Sequence, residues 1–82
     1  MKNNKNLSQE LFEKYSLSFD LKSDKEVVES FNSQVGNPGS GVAKSSYLSA
    51  IKSQFIKREI DFSEISGYTK KVILKGKKLY ID

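Results

Sequence analysis

Two stretches of this chain carry the same apolar spacing: Val27, Val28, Phe31 and Val35 recur at i, i+1, i+4 and i+8, and Tyr47, Leu48, Ile51 and Phe55 repeat the pattern. On a helix turning about 100° per residue each set falls on one face, and that face has to be buried. Only Gly36 to Gly41 separate the stretches, so the spacing predicts an antiparallel pair of helices, about 24–35 and 42–59, packed stripe against stripe. Ser23 and Glu26 have the spacing of a capping box at the start of the first, where Asp24, Glu26 and Glu29 also suit the positive end of the helix dipole.

The flanks add shorter elements. Asn6 and Gln9 repeat the capping-box spacing, and Leu7, Leu11 and Tyr15 follow at intervals of four, which predicts a first helix over 7–15, its apolar face widened by Phe12. From Ser16 the period reads as two, with Leu17, Phe19 and Leu21 alternating with Ser18, Asp20 and Lys22, the pattern of a half-buried strand. Asp61 and Glu64 give a third capping-box spacing, with Gly67 placed to end a single helical turn. The remaining residues read as a β-hairpin. With Gly76-Lys77 as a type II′ turn, Val72 faces Ile81 and Leu74 faces Leu79, giving an apolar inner face; a turn one residue earlier would set Leu74 against Lys77. The expected fold is a small two-layer α+β domain covering residues 1–82, with 1–5 disordered. In it an αα-hairpin packs on a short sheet made of the N-terminal strand and the C-terminal β-hairpin, and the first helix closes one end.

At 82 residues a chain buries only about 60 to 65% of the surface its unfolded form exposes, so a deep, dry active site is hard to build. Cysteine and histidine are both absent, which removes disulfides, thiolate chemistry, the commonest metal ligand and the commonest general base. No metal, cofactor or catalytic role is expected, and the lack of cysteine favours a reducing, cytoplasmic setting. The basic start, Met1 to Asn6, is not followed by an apolar run, and no stretch is long enough to span a bilayer, so no membrane association is expected.

The charge is unevenly placed. Fourteen basic residues face ten acidic ones, and Thr69 to Asp82, with five lysines against one acid, carries the whole excess. In the hairpin register given above, Lys71, Lys75, Lys78 and Tyr80 share the outer face with Ile73, and Lys70 and Lys77 lie nearby. Lysines around an exposed ring can hold phosphates while a base rests on the aromatic surface, although lysines on exposed strands also serve to prevent sheet-to-sheet aggregation. Arg58 is the single arginine, which disfavours readout of particular bases.

Gly36 to Gly41 resembles a phosphate-binding loop in its G-x-x-x-x-G spacing, but Val42 and Ala43 intervene before Lys44 and turn it by about 200° from the place the lysine would need. The loop also follows a helix, where a phosphate loop follows a strand. Gly36 as a helix C′ residue, Asn37-Pro38 as a turn and Ser40 as an N-cap explain it adequately. A weaker anion site from Gly39, Ser40, Gly41 and Lys44 at the helix start remains conceivable. The back of that helix is more distinctive: Val42, Ser45, Ser46, Ser49, Ser53 and Ile56 form a stripe without charge, cheap to desolvate and small enough to admit another backbone. The sequence therefore points first to a non-catalytic module that binds another protein or itself through this stripe. The alternative is a nucleic-acid-binding protein that uses the lysine-rich hairpin.

Overall fold

The computed structural model describes residues 6–35, 41–65 and 70–82. Helix α1 spans Leu7–Asp20, α2 Asp24–Gln34 and α3 Val42–Lys57; strands β1, Val72–Lys75, and β2, Lys78–Ile81, follow. Three helices and a two-stranded antiparallel sheet make this a small α+β fold. Both expected capping boxes at the helix starts are formed. Gln9 N–H donates to Asn6 Oδ1 at 2.9 Å and Asn6 N–H to Gln9 Oε1 at 3.2 Å; Glu26 N–H donates to Ser23 Oγ at 3.2 Å and Ser23 N–H to Glu26 Oε1 at 2.9 Å. Each box satisfies two main-chain donors that a helix start leaves without partners.

The expected N-terminal strand does not exist: α1 continues through Leu17, Phe19 and Asp20. A strand would put Leu17, Phe19 and Leu21 on one face, yet Phe19 is 2% exposed while Leu17 is 69% and Leu21 90% exposed. Phe19 instead extends the row Phe12, Tyr15, Phe19 at helical spacing, and no glycine or proline lies between Asn6 and Ser23 to stop the helix.

The longer α1 changes the packing. Rather than closing an end, it lies along α3 in the largest contact between elements. Ser46 meets Ser8, and Gln54 meets Ser16 two turns further along both helices, so α1 and α3 run parallel. Tyr47 stands edge-on to Tyr15 and Phe19, with ring centroids 5.0 and 5.2 Å apart. The expected stripe-on-stripe pairing of α2 with α3 is the smaller interface, joined through Phe31 and Phe55, 6.2 Å apart. The core comprises Phe19 from α1, Val27, Val28 and Phe31 from α2, Leu48, Ala50, Ile51 and Phe55 from α3, Ile60, and Val72 and Leu79 from the hairpin.

Helix α3 ends without the glycine that usually stops a helix. Glu59 takes φ +59°, its N–H bonding to Ile56 O at 3.1 Å, and Ile60 N–H returns to Phe55 O at 2.8 Å. These two bonds make a Schellman motif with glutamate in the left-handed position, and Ile60, just beyond it, is buried. At the other end the N-cap is Gly41. The readings of Gly36, Asn37, Pro38, Ser40 and Gly67, and of residues 1–5, lie outside the described residues.

The hairpin has the expected register, Val72 opposite Ile81 and Leu74 opposite Leu79, with Gly76 at φ +61° as its turn requires. An isolated two-stranded hairpin is marginal in water, and here both edges are tied down. On one side Asn32 of α2 acts as a substitute strand, its Nδ2 donating to Val72 O at 2.9 Å and its Oδ1 accepting from Val72 N–H at 2.8 Å. On the other, Asp61 pairs with β2 through Asp61 N–H to Lys77 O, 2.7 Å, and Leu79 N–H to Asp61 O, 2.8 Å. The third capping box is therefore not formed: the Asp61 carboxylate accepts from Ser63 N–H at 2.9 Å in a tight turn, and Glu64 reaches Lys78 at 3.6 Å.

Candidate functional site

The uncharged stripe of α3 is divided by α1. Ser46 is buried under α1, its hydroxyl donating to Ser8 O at 3.1 Å, and Ser53 is half-buried. Small residues thus admit a second backbone, as the sequence implied, but the backbone belongs to the same chain. Val42, Ser45, Ser49 and Ile56 stay exposed, Ile56 at 65%. Between the exposed half and α1 runs a groove of about 380 Å³ lined by Ser8, Gln9, Phe12, Glu13, Ser46 and Ser49. Ile56, two turns from Ser49, adds an exposed apolar residue on the same side of α3, while exposed Leu17 lies on the side of α1 opposite Ser8.

The lysine-rich hairpin presents its outer face to solvent, with Lys71, Ile73, Lys75 and Tyr80 all exposed. The Lys75 and Lys78 ammonium groups stand 6.0 and 5.3 Å from the Tyr80 ring centroid, within cation-π range. The five lysines are not equivalent. Lys77 turns away to Asp24 Oδ2 at 3.2 Å and Arg58 O at 3.1 Å, and Lys78 is held by Glu64. Lys70, Lys71 and Lys75 are exposed and make no ion pair among the described residues.

Of the weak anion site, Gly39 and Ser40 lie outside the described residues, Gly41 is the N-cap at φ +124°, and Lys44 is half-buried one turn in. Among the described residues no group of three His, Cys, Asp or Glu side chains is placed to hold a metal ion, and no helix is long and apolar enough to cross a membrane.

A polar junction at the other end of the helices has no counterpart in the sequence reading. The Arg58 side chain, 15% exposed, donates from all three of its nitrogens: Nε to Gln54 Oε1 at 2.9 Å, Nη1 to Asp24 Oδ1 at 2.8 Å, and Nη2 to the carbonyls of Phe19 and Lys22 at 2.8 Å each. It thereby neutralises the carbonyl end of α1 and the first turn of α2 together. Beside it Asp20 accepts from Lys57 at 2.8 Å and from buried Gln54 at 2.9 Å. Hydrogen bonds from Lys57 and Gln54 hold the Asp20 carboxyl below the usual carboxylate range, and those from Arg58 and Lys77 do the same for Asp24. Partners this far apart in the sequence leave no local pattern; the single arginine, near the end of the helix expected over 42–59, was the available hint. Arg58 makes four hydrogen bonds to groups of this chain, so the chemistry of the junction is that of a clamp.

No protein family, curated protein or solved structure matches the chain.

Proposed function

We propose that this protein is a non-catalytic interaction module, acting in the cytoplasm, whose α1/α3 groove receives another polypeptide. The observation that carries the reading is the combination of small floor residues, Ser8, Ser46 and Ser49, with exposed Ile56 two turns from Ser49 on α3. Such a surface is inexpensive to desolvate, and Ile56 offers an apolar anchor beside it. A photo-cross-linker at Ser49, compared with one at exposed Lys25 on α2, tests it. Adducts specific to Ser49 and lost in Ile56→Lys support groove binding, and light scattering across concentrations then separates a second copy from another protein. Equal labelling from both positions removes the reading.

The second reading, nucleic-acid binding, is favoured by one arrangement: Tyr80 with two lysine ammonium groups within cation-π range on an exposed face, and Lys70, Lys71 and Lys75 uncommitted to acids among the described residues. Three such lysines displacing counterions give a slope of about −2 to −3 in log affinity against log salt. Lys71→Ala and Lys75→Ala would weaken binding. Lys77→Ala, with its ammonium on Asp24, would leave it nearly unchanged. Affinity insensitive to salt rules this mechanism out.

A further inference from the structure

On the side of α3 turned away from the groove lies a cleft of about 360 Å³, lined by Phe31, Ile51, Phe55, Phe62 and Ile65 with Lys52 and Ser63 at its rim. Its walls are aromatic: Phe55 packs between Phe31 and Phe62, with centroids 6.2 and 5.6 Å away. Ile51 and Phe55 are buried and belong to the core, so the floor is rigid. An apolar cavity of about 150 Å³ holds benzene, and small-molecule sites begin near 300 Å³. The cleft therefore has room for a body the size of two fused rings. Lys52 is exposed and makes no ion pair among the described residues. One uncommitted cation at the mouth of an aromatic cleft selects for a single negative charge at one end of an apolar molecule.

We propose that this cleft binds a small carboxylic acid with an apolar, bicyclic-sized body, its rings against Phe55 and Phe62 and its carboxylate beside Lys52. The site is independent of the α1/α3 groove. NMR titration of the full chain with 1-naphthoate and, in parallel, the neutral 1-naphthamide tests it. Expected are saturable shifts at the Ile51 and Ile65 methyl groups and the Phe55 and Phe62 rings, with Kd on the order of 0.1–1 mM. The acid binds about two- to five-fold tighter than the amide, the range of a solvent-exposed ion pair. Lys52→Gln, a surface change that leaves the core intact, erases that preference and leaves the amide's affinity unaltered. Lys52→Glu reverses it. Absence of saturable shifts below about 5 mM, shifts centred on Tyr80 or the groove, or an acid preference that survives Lys52→Gln would overturn the proposal.

Discussion

Arg58 concentrates more of this fold than any other side chain, since it joins the end of α1, the start of α2 and the end of α3 through hydrogen bonds to Gln54, Asp24, Phe19 and Lys22. Arg58→Met keeps much of the bulk but takes a donor from each of Gln54 Oε1, Asp24 Oδ1 and the Phe19 and Lys22 carbonyls. The expected loss is about 2–4 kcal/mol in urea unfolding. Arg58→Lys would recover little of it, because a point ammonium cannot reach the positions the planar fork serves. The neighbouring residue is improvable. Glu59 holds φ +59°, where an L-residue is strained by about 1–2 kcal/mol, so Glu59→Gly should raise the unfolding free energy by about 1 kcal/mol. A lower urea midpoint for that variant would show that the glutamate is fixed by more than the Schellman bonds.

Among elements, the α1/α3 seam separates two serines that the sequence treats alike. Ser46 is covered by Ser8 and α1, whereas Ser49 borders an open groove. Ser46→Leu should lower the thermal midpoint sharply, since overpacking at a tight seam costs about 1–3 kcal/mol and the bond to Ser8 O is lost as well. Ser49→Leu should shift it little. The contrast also marks what was legible beforehand. Capping at Asn6 and Ser23 and the pairing of Val72 with Ile81 depend on residues close in sequence, and these were readable. The run Leu17, Phe19, Leu21 fits a period of two, while Phe19 with Phe12 and Tyr15 fits 3.6. Burial decides between the two periods, and burial depends on where α3 lies. That α1 would occupy half the small-residue stripe, and that Arg58 would anchor three helix ends, follow from contacts across more than thirty residues, beyond the reach of any local pattern.

For the molecule as a whole the carboxylates set the response to acid. Asp20, Asp24, Glu26 and Asp61 are all held below their usual range by hydrogen bonds formed only in the folded chain. As pH falls, the unfolded chain takes up protons near pH 4 that the folded chain still refuses, so unfolding becomes favourable. Stability should be level above about pH 5.5, with no histidine to bend it near neutrality, and should decline as pH drops through the lowered folded values. Asp24→Asn should reduce the urea midpoint at pH 7 and flatten the acid limb, so that the two proteins converge once the pH has fallen through the lowered Asp24 value. The polar ties also impose an order of assembly. Asp20 waits for Lys57, Asp24 for Arg58 and then Lys77, and Asn32 for Val72. During synthesis, α1 and α2 therefore leave the ribosome with Phe19, Val27 and Phe31 uncovered until α3 and then the hairpin have followed.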